Sequence, residues 1–463
     1  MARKKELVII GAGPGGYAAA FKAAELGLKV TLIDPQKDPG GVCLYRGCIP
    51  SKALLHIAKI RKEAREAETW GIKFGEPDID LKKIRKWKDK VVKKLTEGLG
   101  QLSKGKDIEY IQDTASFISD KRLSLHERDE ELEFKHLILA TGSVNISLSN
   151  IEPDHQLVID STDALQLKEL PSSMLVIGGG YIGLEMASVY AALGTSISLA
   201  EMTGDFLPGT DKDLVKVFRK QHPFKEVMFN TKVESLTTGK KKVSVKLNKD
   251  GKNSEEDFDK VLIAIGRKPN TSSLNLKKTN LEISEKGFIK VNNKQQTNID
   301  NIYAIGDLTG EPLLAHKATY EGKIAAAQIA GKESSVYDTK SIPGIVFTDP
   351  EIAWCGLTET RAKEMKKEVK ILKFPWSASG RALSLGNPQG LTKLIVHPET
   401  GRILGGGVAG KNAGSLIPEI SLAIEMAATA EDIALSIHPH PTLSETIMEA
   451  AESFMGVPTH LSR

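Results

Sequence analysis

Cysteine is scarce in this sequence, because 463 residues contain only three. So few cysteines exclude the disulfide-rich scaffold of small secreted proteins. Two of the three, Cys43 and Cys48, nevertheless lie close together in the stretch G-G-V-C-L-Y-R-G-C-I-P-S-K. In a reducing compartment such a pair is more often catalytic or metal-binding than structural. The residues alone leave three interpretations open: a static bridge, half of a metal site, or a redox pair.

Long apolar runs and a large excess of one charge are also missing. The apolar run at residues 7–10 is broken at once by glycine, so it is not the apolar segment of a signal peptide. No stretch approaches the roughly 20 apolar residues of a membrane span. The net charge of +4 gives no electrostatic reason to expect nucleic acid or membrane as the main partner. The expected location is the cytoplasm, and the length predicts about two to four domains.

Glycine, by contrast, forms a pattern that occurs twice. Each copy has a short apolar run, three glycines in G-x-G-x-x-G spacing, a helical stretch (17–26 in the first copy), a second strand-like run and an acid. The glycines are Gly11, Gly13 and Gly16 in one copy, and Gly178, Gly180 and Gly183 in the other. The acids, Asp34 and Glu201, recur at the same interval of 167 residues as the first glycines. Two copies in this context predict two Rossmann-like dinucleotide sites.

The spacing of this pattern follows from its chemistry. The first glycine allows a tight turn, the second lets the backbone approach a pyrophosphate, and the third lets helix pack on strand. The helix N-terminus then offers N–H groups to the phosphates. Asp34 and Glu201 are each expected to accept hydrogen bonds from a ribose diol. Glu201 would also repel a 2′-phosphate, and the following Met202-Thr203-Gly204 contains no arginine, so NAD is favoured over NADP.

Three further strand-like runs end in glycine turns. They are residues 137–142, ending in Thr141-Gly142, residues 261–266, ending in Gly266, and residues 302–307, ending in Gly306-Asp307. The first two close the two dinucleotide units, and the third has the form of a returning ligand-binding turn. The second unit is therefore predicted to be inserted in the first. The C-terminal part differs in character, with a possible strand at 393–396, a glycine cluster at 405–407 and an amphipathic helix around 416–427.

With these residues in place, almost the whole chain resembles the dihydrolipoamide dehydrogenases, the E3 flavoproteins of 2-oxo acid dehydrogenase complexes and class I pyridine nucleotide-disulfide oxidoreductases. The motifs that carry the resemblance are G-A-G-P-G-G-Y-A-A-A, G-G-V-C-L-Y-R-G-C-I-P-S-K-A-L-L, G-G-G-Y-I-G-L-E, A-I-G-R-K-P-N-T, A-I-G-D-L-T-G-E-P-L-L-A-H-K-A and H-P-H-P-T-L-S-E. The resemblance implies an α/β fold with an FAD-binding Rossmann-like domain at 1–145 and an inserted NAD-binding domain at 146–269. A central domain at 270–342 would complete the FAD site, and an α+β interface domain at 343–463 would form the dimer.

The same resemblance implies an activity and partners. The enzyme would reoxidise dihydrolipoyl groups carried by E2 subunits and pass the electrons through FAD to NAD+. It would be a homodimer, in which the partner's C-terminal residues complete each active site. The sequence leaves open which 2-oxo acid complex is served, and whether the H protein of glycine cleavage is a second partner.

Geometry limits what the cysteine pair can do. Residues five apart on a regular α-helix have Cα atoms roughly 8–9 Å apart, whereas a disulfide requires about 4.4–6.8 Å. A bond therefore needs a break in the helix, which Gly40, Gly41 and Gly47 permit. A helix beginning around 49–52 would lower the pKa of a nearby thiol. No Cys/His cluster accompanies the pair, so no metal is expected, and so short a loop gains little as a static bridge. By resemblance, Cys43 exchanges with the dithiol and Cys48 faces the flavin as the charge-transfer thiolate.

The resemblance also assigns residues to the two cofactors. In the family, the lysine that matches Lys52 lies near the flavin N5 and pairs with the glutamate that matches Glu185, beside the nicotinamide. Local sequence alone would make Lys52 a solvated lysine on a helix face. The implied FAD residues are Gly11, Gly13, Gly16, Asp34, Lys52, Thr141, Gly142, Asp307 and Ala315, with His316 and Lys317 beside the last. The implied NAD residues are Gly178, Gly180, Gly183, Glu185, Glu201 and Gly266.

The motif H-P-H-P-T-L-S-E near the C-terminus contains His440 and, five residues later, Glu445. Dithiol oxidation needs a group that accepts a thiol proton, and histidine titrates in the right range. A carboxylate on the other ring nitrogen would fix the tautomer. Thr442 and Glu445 also form a capping-box pattern before a helical stretch at 446–454. Local sequence leaves relay and cap equally open, and the resemblance favours catalysis for the pair and a structural role for His438.

A few features depart from the family pattern or leave rivals. Tyr45 and Arg46 lie between the cysteines, where Arg46 either favours a thiolate or is only a surface charge. Cys355 stands alone and is interpreted as a buried small hydrophobe.

The nearest rival function is another disulfide reductase, acting on glutathione or mercuric ion, although mercuric reductases typically carry a C-terminal cysteine pair that this tail lacks. A rival of a different class is a redox-silent nucleotide-binding scaffold.

Overall fold

The computed structural model describes residues 2–148, 151–332 and 334–461. The first part contains, in chain order, β1 (Arg3–Ile10), α1 (Pro14–Glu25), β2 (Val30–Asp34), α2 (Gly41–Arg46), α3 (Cys48–Glu66), α4 (Leu81–Gly105), β3 (Glu109–Gln112), β4 (Ala115–Ser119), β5 (Arg122–Leu125), β6 (Glu130–Leu139) and β7 (Ser143–Asn145). The middle part contains β8 (Val158–Ile159), α5 (Ser161–Gln166), β9 (Ser173–Ile177), α6 (Tyr181–Leu193), β10 (Ser196–Ala200), α7 (Lys212–Arg219), β11 (Glu226–Met228), β12 (Thr231–Thr238), β13 (Val243–Lys249), β14 (Lys252–Phe258), β15 (Lys260–Ile263) and β16 (Arg267–Pro269). The last part contains β17 (Ile302–Ala304), α8 (Ala315–Ile329), β18 (Gly344–Val346), β19 (Glu351–Gly356), α9 (Glu359–Glu364), β20 (Lys370–Pro375), α10 (Gly380–Ser384), β21 (Leu391–Val396), β22 (Ile403–Gly410), α11 (Ala413–Glu425), α12 (Ala430–Leu435) and α13 (Glu445–Glu452).

The first sheet has the strand order β3-β2-β1-β6-β5-β4, with β17 added beside β6. The strand β17 follows the whole second unit in sequence, yet it pairs in parallel with β6, Ile302 opposite Leu137. The chain therefore leaves this sheet after β6 and returns to it at β17. This topology confirms the predicted insertion, while the residue numbers of the domain boundaries remain predictions.

The second sheet repeats the local arrangement of the first. Its order is β11-β10-β9-β15-β8, all parallel. The glycine loops leave β1 and β9, whose last four residues are buried, as expected for central parallel strands covered on both faces. The first helix begins at Pro14 rather than at the predicted Tyr17, because proline is well suited to the first helical position.

The C-terminal part is a five-stranded antiparallel sheet in the order β18-β19-β22-β21-β20, with α11 packed against it. The predicted strand at 393–396 lies within β21, and the predicted helix at 416–427 corresponds to α11, which begins at Ala413. The glycines at 405–407 lie inside β22. These elements confirm the α+β character of this part. Within the described residues, no helix combines the length and apolar character needed to cross a membrane.

Candidate functional site

The two glycine loops have the same steric design. A Cβ on the first glycine of either loop would collide with a backbone carbonyl, of Ala140 in one case and Ala264 in the other. A Cβ on the third glycine would collide with the carbonyl of the first. The middle glycines face open space, since a Cβ on Gly180 would meet nothing within 4 Å and one on Gly13 would meet only the Gly41 Cα at 3.9 Å. This is the steric pattern that a pyrophosphate-binding turn requires.

The two predicted ribose-binding acids are held in equivalent ways. Oδ2 of Asp34 accepts from the Ala12 backbone N–H at 2.7 Å, and Oε2 of Glu201 accepts from the Gly179 N–H at 2.6 Å. Both side chains are buried, and burial raises the pKa of Asp34 despite its backbone hydrogen bonds. Both oxygens of Asp34 and Oε2 of Glu201 keep a second acceptor direction, whereas Oε1 of Glu201 already accepts from the N–H and the hydroxyl of Thr203. The acids therefore position their loops and can still receive a ribose hydroxyl.

The cysteines lie on either side of a helix break. The helix α2 ends at Arg46, Gly47 has φ −148° and ψ −116°, and α3 begins with Cys48. A Cβ on Gly47 would lie 2.9 Å from the Val42 carbonyl oxygen and 3.2 Å from the Cys43 Cα, so only glycine allows this fold-back. The predicted departure from a regular helix is confirmed. The break brings the two thiols into hydrogen-bond contact.

This contact separates the acidities of the two thiols, which are free in the structure. The hydrogen bond from Cys43 lowers the pKa of Cys48 to about 7, with burial opposing it and the Lys52 ammonium assisting it. The same hydrogen bond, together with burial, raises the pKa of Cys43. In the reduced pair Cys48 is therefore the thiol that ionises first, with the Cys43 thiol as its hydrogen-bond donor.

The cysteine helices lie directly against the first glycine loop. Gly41, the first residue of α2, has φ +58°, and a Cβ there would lie 2.5 Å from the Gly13 Cα. Between the cysteines, the Tyr45 hydroxyl donates to the Asp38 carbonyl at 2.9 Å. Arg46 is exposed, and its charge acts on Asp34. The interpretation of Arg46 as a thiol-tuning group gains no support from this position.

Lys52 and Glu185 connect the two dinucleotide units. Lys52 lies one turn after Cys48 on α3, and its Nζ contacts both oxygens of Glu185 on α6, at 2.7 and 2.9 Å. The Glu185 side chain is buried and also accepts from the Phe347 N–H at 3.1 Å. The Phe347 ring lies 4.6 Å from the ammonium. The ion pair expected from the resemblance is therefore present, while Phe347 had no signal in the sequence.

The predicted turn at Asp307 lies beside the end of β6. Ser143 donates a short hydrogen bond to Asp307 through its hydroxyl, and Arg267 donates from Nε to the same hydroxyl at 2.8 Å. Neither partner was singled out from the sequence, although each is adjacent to a predicted glycine turn. Thr141 is tied to the Asn270 carbonyl at 2.7 Å. These contacts bring together Thr141 and Gly142, which follow β6, Asp307, which follows β17, and Gly266, which precedes β16. All four lie near the carboxyl ends of β6 and β17.

The helix α8 begins with the predicted Ala315 and packs along α1. His316 contacts the Pro343 carbonyl through Nε2 at 2.8 Å. The Lys317 side chain is buried and pairs with Glu321 at 2.8 Å. The Lys317 ammonium is therefore engaged by Glu321 and by the Gly310 carbonyl at 3.3 Å.

His440 and Glu445 form a hydrogen-bonded pair. The His440 Nδ1 lies 2.8 Å from Glu445 Oε1, and the second oxygen, Oε2, accepts from the Thr442 N–H at 2.7 Å. The helix begins at Glu445 itself, so the expected capping box is only half formed, and Thr442 Oγ1 donates to Pro439 instead. Burial raises the pKa of Glu445, but the hydrogen bonds from His440 and the Thr442 N–H together outweigh it and lower the net value.

The His440 ring is largely exposed, at 75%. Within the described residues, none of its recorded hydrogen bonds or ion pairs leads to the cysteine pair of the same chain. His438 behaves differently, because it is buried and its Nε2 contacts Glu419 at 2.7 Å. A second exposed histidine, His460, is bound by the buried Glu449 one turn beyond Glu445, a pair that the sequence gave no reason to expect.

The remaining polar groups do not add a cysteine-containing cluster to this site. Within the described ranges, the two groups of potential metal ligands are His155 with Asp160 and Asp163, and Asp211 with Asp213 and Glu359. The second group converges on the buried ammonium of Lys393. Cys355 is 1% exposed, and burial raises the pKa of its thiol to about 12, as expected for a small buried hydrophobe.

The chain residues fit the cofactors that the two loops imply. The open middle glycine of the first loop and the N-terminus of α1 point to a space bordered by α2 and α3, which carry the thiols and Lys52. A flavin dinucleotide held by that loop could extend along these helices. The second loop offers an equivalent open glycine beside Glu201 and Glu185 for a nicotinamide dinucleotide.

Comparison with known proteins agrees with this geometry. Residues 5–322 match the sequence model of the pyridine nucleotide-disulphide oxidoreductases, and residues 342–451 match the dimerisation domain of the same family. A dihydrolipoyl dehydrogenase of Buchnera aphidicola subsp. Schizaphis graminum is 47% identical over 99% of this chain and 97% of its own length. The enzymes of that name from Vibrio cholerae and Geobacillus stearothermophilus are 45% and 43% identical, over 99% and 98% of this chain and 97% of each relative.

Solved structures give the same result for the fold. LpdA from Mycobacterium tuberculosis superposes with a TM-score of 0.89 at 26% identity, covering 98% of this chain and 100% of its own. The HOCl-induced flavoprotein disulfide reductase RclA from Escherichia coli has a TM-score of 0.85 at 27% identity, covering 96% of this chain and 99% of its own. These matches confirm the resemblance found in the sequence. The chain belongs to the pyridine nucleotide-disulphide oxidoreductases, a family of flavoproteins that use FAD and NAD.

Proposed function

We propose that this chain is a dihydrolipoyl dehydrogenase, which oxidises dihydrolipoyl groups and reduces NAD+. The observation that carries the proposal is the position of the Cys43–Cys48 pair, at a helix break pressed against the first dinucleotide loop. A static bridge or a metal ligand pair has no need of that position. Relatives that bear the name of this enzyme, aligned over nearly their full length, support the same activity.

The cysteine pair performs the exchange with substrate. One thiolate of the dihydrolipoyl group attacks Sγ of Cys43 in the oxidised enzyme, the Cys43–Cys48 bond breaks, and Cys48 leaves as a thiolate. The second substrate thiolate then attacks the substrate sulfur of the mixed disulfide. This step releases the lipoyl disulfide, and Cys43 leaves and takes up a proton. The low pKa of Cys48 makes it the better leaving group, because thiols of lower pKa leave faster.

Lys52 and Glu185 support the passage of electrons from the first unit to the second. FAD, which the first glycine loop and Asp34 would hold, would supply the electron-transfer and hydride-transfer chemistry that links the reduced cysteines to NAD+. The Lys52 ammonium stabilises the neighbouring Cys48 thiolate, as its effect on the pKa of Cys48 indicates. Glu185 fixes that ammonium by two hydrogen bonds and lies on the helix that follows the NAD loop.

His440 is proposed as the base that removes protons from the dihydrolipoyl thiols and returns one to Cys43. Glu445 holds Nδ1, which leaves Nε2 free to accept a thiol proton. The exposed ring and the match to a dimerisation domain favour a homodimer in which His440 serves the cysteine pair of the partner subunit. The same arrangement makes each monomer incomplete as a catalyst.

The nicotinamide substrate is proposed to be NAD+ rather than NADP+. Glu201 directly follows β10 of the inserted unit, and its Oε1 accepts from the Thr203 N–H at 2.7 Å. A carboxylate in this place repels a 2′-phosphate, and no arginine stands among the residues that directly follow it. The proposed protein partners are lipoyl-bearing E2 subunits of 2-oxo acid dehydrogenase complexes, with the cytoplasm as the location.

The proposal is tested by comparing two reactions. Purified protein should oxidise dihydrolipoamide with NAD+ and should show little reduction of glutathione disulfide with NADPH; the reverse preference would favour the rival disulfide reductase. Cys48→Ser should abolish dihydrolipoamide oxidation while the protein keeps FAD. Cys355→Ala, which changes the third and buried cysteine, serves as the control. Full activity of Cys48→Ser, or purified protein without a flavin spectrum, would refute the proposal.

A further inference from the structure

The turn that carries Asp307 is held from behind by a buried ion pair. The Gly306 N–H donates to Oε2 of Glu321 at 2.7 Å, and Oε1 of the same carboxylate binds Nζ of Lys317 at 2.8 Å. The side chains of Lys317 and Glu321 are only 7% and 3% exposed. We propose that Glu321 is a positioning residue which, with Lys317, sets the orientation of the Asp307 turn and thereby the binding and environment of FAD.

The carboxylate joins two elements that border the proposed FAD site. Gly306 has φ +71°, and a Cβ there would lie 3.0 Å from the Ala318 Cβ, so the turn packs tightly on the start of α8. Glu321 lies on α8 itself. Its bond to Gly306 therefore fixes the turn relative to the first residues of the helix. On its other side the turn is fixed by Ser143, through the short hydrogen bond to Asp307.

Lys317 favours the ionised form of the Glu321 carboxylate. Burial raises the pKa of Glu321, Asp307 raises it further, and the Lys317 ammonium opposes both. The ammonium also reaches the Gly310 carbonyl at 3.3 Å, at the far end of the turn. Without Lys317 the buried carboxylate would lose its compensating charge. The pair therefore holds both ends of the segment that contains Asp307.

The proposal rests on the FAD site and the function proposed above, but it makes a separate claim. A pair that served folding alone would affect the stability of apoprotein and holoprotein equally. A positioning pair affects how firmly FAD is held, and it alters the flavin absorption spectrum. The hydrogen bond to Gly306 is the element that distinguishes these roles, since it connects the pair to the turn.

Two double variants isolate that hydrogen bond. Glu321→Gln with Lys317→Met removes both charges and keeps an acceptor for the Gly306 N–H, whereas Glu321→Leu with Lys317→Met removes both charges and the acceptor. Lys22→Met, which breaks the exposed Lys22–Glu25 pair on the neighbouring α1, is the control. FAD release is measured by the fluorescence of free FAD during dilution and mild denaturant treatment. The flavin absorption spectrum and the apoprotein melting temperature are recorded for each protein.

The leucine variant is expected to bind FAD about tenfold more weakly than the glutamine variant, as the loss of one well-placed hydrogen bond implies. Its flavin spectrum should be shifted, while the apoproteins of the two variants melt together. Equal FAD affinity and identical spectra would overturn the proposal. If a double variant does not fold, amide hydrogen exchange in the wild-type holoprotein decides: strong protection of the Gly306 N–H supports the proposal, and free exchange overturns it. Normal FAD binding in every protein, without dihydrolipoamide oxidation, would count against the proposed function as well.

Discussion

Replacement of Lys393 by methionine should destabilise the protein more than any single surface change. Lys393 lies on β21 with a side chain that is 0% exposed, and its Nζ contacts Asp211 at 2.7 Å, Asp213 at 2.8 Å and Glu359 at 2.7 Å. Burial lowers the pKa of Lys393, but the three carboxylates outweigh it and raise the net value. Methionine keeps the aliphatic bulk and leaves the acids without their shared cation. Breaking a buried ion pair in this way costs about 3–5 kcal/mol.

The effect should appear as a fall of roughly 3–5 °C in the melting midpoint of the holoprotein, measured by calorimetry at pH 7.5, because the unfolding entropy of a 463-residue chain is about 1 kcal/mol per kelvin. Lys373→Met is the matched control, because Lys373 contacts Asp213 at 2.6 Å but its side chain is 44% exposed; its loss should cost at most about 1 kcal/mol. Burial raises the pKa of Asp213, yet the two lysines outweigh it and lower the net value. A carboxylate whose pKa is lower in the folded state stabilises the fold at pH values above its unfolded-state pKa, and this contribution is lost as the carboxylate is protonated in acid. The difference in stability between Lys393→Met and the wild type should therefore become smaller as pH falls. Equal melting of the two variants at pH 7.5 would refute the reasoning.

Three further predictions concern the site. Alkylation of Cys48 in the reduced protein, resolved by mass spectrometry, should rise with pH around a midpoint of about 7, because only the thiolate reacts; Cys43→Ala, which removes the hydrogen-bond donor, should move the midpoint upward, and a midpoint of about 8.5 in both proteins would contradict the pairing. Gly41→Ala should yield protein largely free of FAD, because the new Cβ would lie 2.5 Å from the Gly13 Cα, whereas Gly75→Ala, in open space, should retain FAD; equal flavin content would show that the contact is unimportant. Glu445→Gln should lower kcat for dihydrolipoamide by about tenfold or more with little change in melting temperature. An unchanged kcat with a lowered melting temperature would make Glu445 a helix cap only.

Much of the fold could be predicted because its signals are local. A glycine loop is defined by spacing within one turn, so Gly11 and Gly178 identified both dinucleotide units without reference to any distant residue. The insertion was also predictable, because the third strand-like run ends in Gly306-Asp307, which has the form of a returning ligand-binding turn. Element ends were less accurate: α1 begins three residues before the predicted Tyr17, since the proline there can occupy the first helical position.

The His440 motif shows where local reasoning stops. The same residues suited a proton relay and a helix cap, and nothing nearby in the sequence separated the two. In the structure the two oxygens of this one carboxylate have different partners, His440 on one side and the Thr442 N–H on the other, so the contacts suit both interpretations. Sequence spacing cannot reveal how two oxygens of one group are divided.

By itself the sequence determined the two dinucleotide loops, the position of the redox-capable cysteines and the family to which the chain belongs. Tertiary structure decided the contacts between distant side chains that no motif connects. Lys393 and Asp213, 180 residues apart, had no signal in the sequence, and the Lys52–Glu185 pair, 133 residues apart, was expected only through the family resemblance. The physical reason is that backbone spacing specifies turns and helix faces over a few residues, whereas a buried charge selects its partners only when separate elements pack together and exclude water.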